Sequence, residues 1–265
     1  MSSDEVFVTL LAGAIAALKW WGWCAPLLSR ARLGEWSAAD AFSWTAPLAC
    51  HVLIFAVLRM LAADDVRSAP EYIAMYLALG SAWVGGLQGM TIWLGVGGRD
   101  DAIERSNLAA AIAASGALLG LTLCYAGGNI GNGPGWWVVV VSAALATTGW
   151  FVAWWIVEAA TRVSELVTIE RDAATGLRLG AFLLACGWIL GRAVAGDWVS
   201  LDRTVADFGR MSWPVIALVV TEIFVGKTIG RSAGGGLASQ LARGIVPAAA
   251  YVGGACYVVA TRGSW

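Results

Sequence analysis

RMLAADDV at residues 59–66 returns as RAVAGDWV at residues 192–199. Arg59, Ala62, Asp64 and Val66 recur as Arg192, Ala195, Asp197 and Val199, a displacement of 133 residues. The same displacement carries Ser106, Leu108, Ala109 and Ile112 onto Ser239, Leu241, Ala242 and Ile245. A displacement of 130 carries Trp20, Arg32 and Glu35 onto Trp150, Arg162 and Glu165, and one of 132 carries Cys124-Tyr125 onto Cys256-Tyr257. Four segments kept in one order at nearly one spacing read as a duplicated unit. Residues 1–130 are expected to form one copy and residues 131–265 the other.

What each copy contains follows from composition. The chain is 59% hydrophobic and 13% charged, with mean hydropathy +0.72, which leaves too little polar surface for a soluble domain of 265 residues. Apolar stretches long enough to cross a hydrocarbon core about 30 Å thick recur over roughly residues 6–28, 42–62, 72–96, 107–127, 135–157, 177–196, 211–229 and 241–261. The expected fold is therefore an all-α integral membrane protein of eight transmembrane helices, arranged as two tandem four-helix repeats. An outer-membrane barrel would need apolar/polar alternation, whereas Trp136 to Val141 is continuously apolar.

Charge sets the orientation. The Gly127 to Gly135 link carries no charge, and ten basic residues fall on the opposite side against six on the same side as this link. Basic loops stay cytoplasmic, so both termini are expected on the outer side, with the plasma (inner) membrane as the location. An even number of helices per copy gives both copies the same direction, related by a pseudo-twofold axis along the membrane normal. The N-terminal Asp4-Glu5 is acidic where a signal peptide would be basic, so helix 1 is expected to be retained.

Net charge of −1 gives no footprint for nucleic acid, and the expected partners are the lipid bilayer with partner subunits or a homo-oligomer. Five cysteines without a CxxC read as small buried hydrophobes. One histidine and no metal-ligand spacing argue against haem or metal, and no catalytic motif is visible, which points away from an enzyme. No cofactor is expected, although the sixteen tryptophans, with Trp44, Trp83, Trp93, Trp150 and Trp188 placed deep, would suit a quinone or another flat lipophilic ligand. Bulky helix packing is the more common explanation for them. Small-xxx-small spacings at Gly85/Gly89, Gly116/Gly120, Gly187/Gly191 and Gly226/Gly230 favour close backbone approach in lipid.

The chemistry-bearing candidates are the intramembrane polar residues Lys19, His51, Gln88 and Glu222. Ionisable groups at a helix centre cost about 2.5–3.5 kcal/mol on insertion scales, so each needs a reason. Lys19 and Glu222 fall at similar depth and would pair, unless Lys19 snorkels to the interface. Arg59, Asp64, Arg192 and Asp197 form the outer-rim charges, either tying each loop to its helix end or lining a vestibule. The leading functional reading is transport or conduction of a small solute or ion at the interface of the two repeats. The alternatives are a haem-free quinone-binding anchor subunit of an electron-transfer complex and an accessory or assembly subunit.

Overall fold

In a computed structural model, which describes residues 1–228 and 236–261, the chain is all-helical apart from one isolated bridge among the described residues. Arg231 and Arg262, which belong to the two counts of basic residues, and Gly230 of the small-residue spacing lie outside the described residues. The main helices are α1 (Ser3–Leu33), α2 (Ala38–Met60), α4 (Pro70–Leu87), α5 (Leu108–Gly127), α6 (Trp136–Thr161), α8 (Ala173–Val194), α10 (Pro214–Thr228) and α12 (Val246–Thr261). Between them lie the short α3 (Asp64–Ser68), α7 (Val163–Thr168), α9 (Leu201–Ser212) and α11 (Leu237–Gln240).

Each of the eight apolar stretches thus holds a helix, but they are unequal. Six are long and apolar enough to cross a membrane, and a seventh is reached if α9 and α10 count as one span bent by 41°. The bend falls at Pro214, which has no N–H to continue the ladder of α9. The third stretch is not among them: α4 is 18 residues long but opens on the polar Pro70-Glu71-Tyr72, and beyond Leu87 the chain continues as a 3₁₀ turn over Gln88–Leu94, closed by the left-handed Gly95. The chain is a polytopic, all-helical membrane protein.

Of the even-placed main helices α2, α5, α8 and α12, the first three start alike. Ser37 caps α2 in a box with Asp40, Asn107 caps α5, and Asp172 caps α8, each accepting from backbone N–H groups that have no partner within the helix. Arg30 Nε binds Asp40 Oδ1 at 3.1 Å and Asn107 Nδ2 donates to Val167 O at 2.8 Å, so these caps also tie neighbouring segments together.

They also run side by side in one direction. On α5 and α8, Ala109 meets Gly176, Ala113 meets Gly180 and Gly120 meets Gly187, each pair 67 residues apart with both numbers rising together. Between α8 and the chain that leads into and forms α12 the order is Arg178 with Arg243, then Phe182 with Tyr251. On α2 and α5 it is Phe42 with Ser115, then Val57 with Ala126. The segments after α2, α5 and α8 continue the register: Ala62 bridges Gly131 in parallel, and Gly196 N donates to Ile130 O at 2.9 Å.

This row of α2, α5, α8 and α12 corrects the expected closed pseudo-twofold. A twofold that sets α5 against α8 must also set α12 against α2, and the described residues make no extensive α12–α2 contact.

Candidate functional site

The α5–α8 seam is where the sequence places the solute path, and it is closed. A Cβ added at Gly116 would lie 2.2 Å from Gly180 O, one at Gly187 2.3 Å from Gly120 O, and one at Gly127 2.0 Å from Gly191 O. Backbone touches backbone along both glycine pairs named above, so this interface holds no channel. Gly85 packs on Trp20 and Lys19 of α1, Gly226 lies against Thr161, and Gly89 faces open space.

Polar chemistry lies at the two ends of α8. At its starting end, Arg178 and Glu222 form an ion pair with both side chains at 0% exposure, Nε to Oε1 at 2.9 Å. Tyr251 donates its hydroxyl to Glu222 Oε2 at 2.7 Å, and Arg178 Nη1 donates to Arg243 O at 3.1 Å. α8, α10 and α12 each contribute one side chain. Arg178 Nη2 is buried without an acceptor.

Glu222 is therefore a buried carboxylate as the sequence implies, but its partner is Arg178 and not Lys19. Lys19 is exposed on α1, which packs on α4 in the first half, whereas Glu222 sits in the second half between α8 and α12. The two residues are separated laterally. Arg178 also leaves the tally of cytoplasmic loop charges, because it is a fully buried helix residue.

His51 and Gln88 join Lys19's neighbourhood, not that of Glu222. His51 Nδ1 lies 2.7 Å from Pro47 O, a carbonyl that only accepts, so Nδ1 carries the proton and Nε2 accepts from Ser81 Oγ at 2.9 Å. Trp20 packs edge-on against the His51 ring at 5.3 Å and donates to Ser81 O at 3.0 Å. Gln88 lines a void of about 10 Å³ beside Trp23 and Gly98. Trp23, Trp83 and Trp150 likewise donate to protein oxygens, while Trp93 is 77% exposed on the helical surface.

At the other end of α8 two adjoining cavities of about 460 Å³ each open around residues 128–135. Of the rim charges, Asp64, Arg192 and Asp197 line one of them and Arg59 does not. Arg59 Nη1 instead donates to Arg67 O at 3.0 Å, and Arg67 pairs with Asp64. Asp197 Oδ1 accepts from both the backbone and the side-chain nitrogen of Asn132, at 2.7 and 2.9 Å. The two copies of the motif are thus used differently. Gly131 must be glycine here: its φ is +103° and a Cβ would lie 2.3 Å from Gly196 C. Among the described residues, no group of three His, Cys, Asp or Glu side chains is placed to hold a metal ion.

A family model described as Domain of Unknown Function (DUF350) matches residues 60–194, half of the chain. The chain belongs to the DUF350 family. The matched residues run from the end of α2 to the end of α8, and so contain both faces of the glycine seam, Arg178 and most of the wall around residues 128–135. Glu222 and Tyr251 lie beyond the DUF350 match. No curated protein and no solved structure matches the chain.

Proposed function

We propose that this DUF350 protein transports or conducts a small solute or ion, with Arg178, Glu222 and Tyr251 as its working polar group. The observation that carries the reading is an ion pair at 0% exposure inside membrane helices that still holds an unused N–H on Arg178. Ionisable residues at that depth are costly and mark pathways or relays by default. A pair joining α8, α10 and α12 also reports any movement of one helix against the others.

Eight crossings fit the packing. α2, α5, α8 and α12 run in one direction, so α4, α6 and α10 must return between them. Glu5 of α1 lines the cavity beside residues 128–135, which fits an N-terminus on that face. We infer two four-helix repeats, residues 1–130 and 131–265, with both termini outside in the plasma (inner) membrane.

The test is flux into proteoliposomes across a panel of ions and small neutral solutes, comparing wild type with folded Glu222→Gln. Loss of flux in the variant supports the reading. No wild-type flux across the panel overturns it. The anchor reading has less support, since four indole N–H groups already donate within the chain. A quinone or hydrophilic subunits found by mass spectrometry of gently purified protein would favour it.

A further inference from the structure

We propose that two copies of this chain pair through the outward face of α12, about a twofold axis along the membrane normal. The pairing rests on the inferred repeat and not on the transport reading, and it is measured without flux.

The face is a seam of mostly small residues. Val246, Ala249, Gly253, Cys256 and Ala260 follow one another at alternating steps of three and four, the spacing that holds one face of a helix against a parallel partner. All of them are exposed, and a Cβ added at Gly253 meets nothing within 4 Å among the described residues. The exposed residues of the other outer helices are bulky, such as Leu10 and Leu18 on α1, Leu48 and Phe55 on α2, and Ile216 and Phe224 on α10. Those suit lipid chains, whereas small residues let two helix backbones approach closely.

The second observation is what fills the equivalent face of α5. α5 meets α2 through Ser115, Leu118 and Ala126. A displacement of 133 residues gives Ala248, Tyr251 and Val259, which are the buried side of α12, with Tyr251 against Phe182 of α8. α5 meets α8 through Ala113, Gly116, Gly120, Leu123 and Gly127. The same displacement gives Val246, Ala249, Gly253, Cys256 and Ala260. On α5 this face carries a helix at backbone contact; on α12 it is exposed.

The geometry also selects the occupant. Continuing the row would seat an α2 on this face, because Gly176, Gly180, Gly187 and Gly191 of α8 correspond to Ser43, Pro47, Ile54 and Leu58. All four are buried within the first half, so α2 has no such face to offer. The seam bears no charge or amide that would select a foreign partner, and it discriminates by shape alone. A twofold axis brings the seam onto itself at one depth and in one direction, which every other copy in the membrane supplies.

The experiment is copper–phenanthroline oxidation of the full chain in native membranes, with Cys24 replaced by Ala, followed by non-reducing electrophoresis. A covalent dimer through Cys256 is expected, lost in Cys256→Ser and restored by Ala249→Cys in that background. Gly254→Cys, exposed on another side of α12, should cross-link about fivefold less or weaker still. Gly253→Val should weaken the Cys256 cross-link by a similar factor with little change in melting temperature, and light scattering in micelles should move from the mass of two chains to that of one. Equal cross-linking at Gly254→Cys and Ala249→Cys, no cross-link at either seam position, or a product containing another protein in place of the dimer would overturn the proposal.

Discussion

Arg178 Nε and Glu222 Oε1 lie 2.9 Å apart at zero exposure, between residues 44 positions apart in the chain. Removing one partner leaves the other charge buried without compensation, which costs about 3–5 kcal/mol. Arg178→Met and Glu222→Gln should therefore each destabilise by that amount. Tyr251→Phe removes a hydrogen bond to a charged group and should cost about 1.5–3 kcal/mol. The triple variant Arg178→Met, Glu222→Leu, Tyr251→Phe should recover most of the loss, because well-packed apolar residues replace a buried ion pair at little cost. Denaturant titration in micelles measures all four. Additive losses in the triple variant would contradict a coupled cluster.

The glycine seam makes a positional prediction. Gly120→Val and Gly187→Val force atoms into backbone that lies within 2.5 Å of the new Cβ, and the neighbouring helix has no side chain to move aside. Overpacking of this kind costs about 1–3 kcal/mol or more. Gly253→Val on α12 has nothing within 4 Å of its Cβ and should change the melting temperature little. Equal losses at all three positions would mean that α5 and α8 do not meet as described.

Lys19 tests the lateral arrangement. An exposed α1 side chain with no ion-pair partner among the described residues should tolerate Lys19→Met within about 0.5 kcal/mol. Combined with Glu222→Gln, its effect should simply add. A coupling energy above about 1 kcal/mol between these two positions would place α1 beside α10 and overturn the helix order.

These outcomes bear on what the residues alone disclose. Glu222 stands out because it interrupts a long apolar run, so burial and the need for a partner are both legible. Arg178 is hidden because it sits in the second turn of α8, where an arginine reads equally well as a loop charge. Sequence depth fixes one coordinate of Lys19 and says nothing of which helices are neighbours. Small-xxx-small spacing marks the faces of α5 and α8, yet identical spacing at Gly85/Gly89 meets one helix at Gly85 and nothing at Gly89. Asn129 lies in a polar loop where an amide is unremarkable by composition. Only the fold shows that its oxygen is buried and unpartnered.

Orientation carries the last prediction. Residues 128–135 are expected to face outward, as the uncharged link and the basic residues opposite it imply. A cysteine at Pro134 should react with an impermeant maleimide in intact cells, and one at Glu170, exposed at the end of α7, should react only after lysis. The native background is favourable, since Cys50, Cys124 and Cys186 are buried. Cys24 is half-buried on α1 and Cys256 is exposed on α12, and both should be replaced by Ala beforehand. The reverse labelling pattern would put the acidic cavity on the cytoplasmic side.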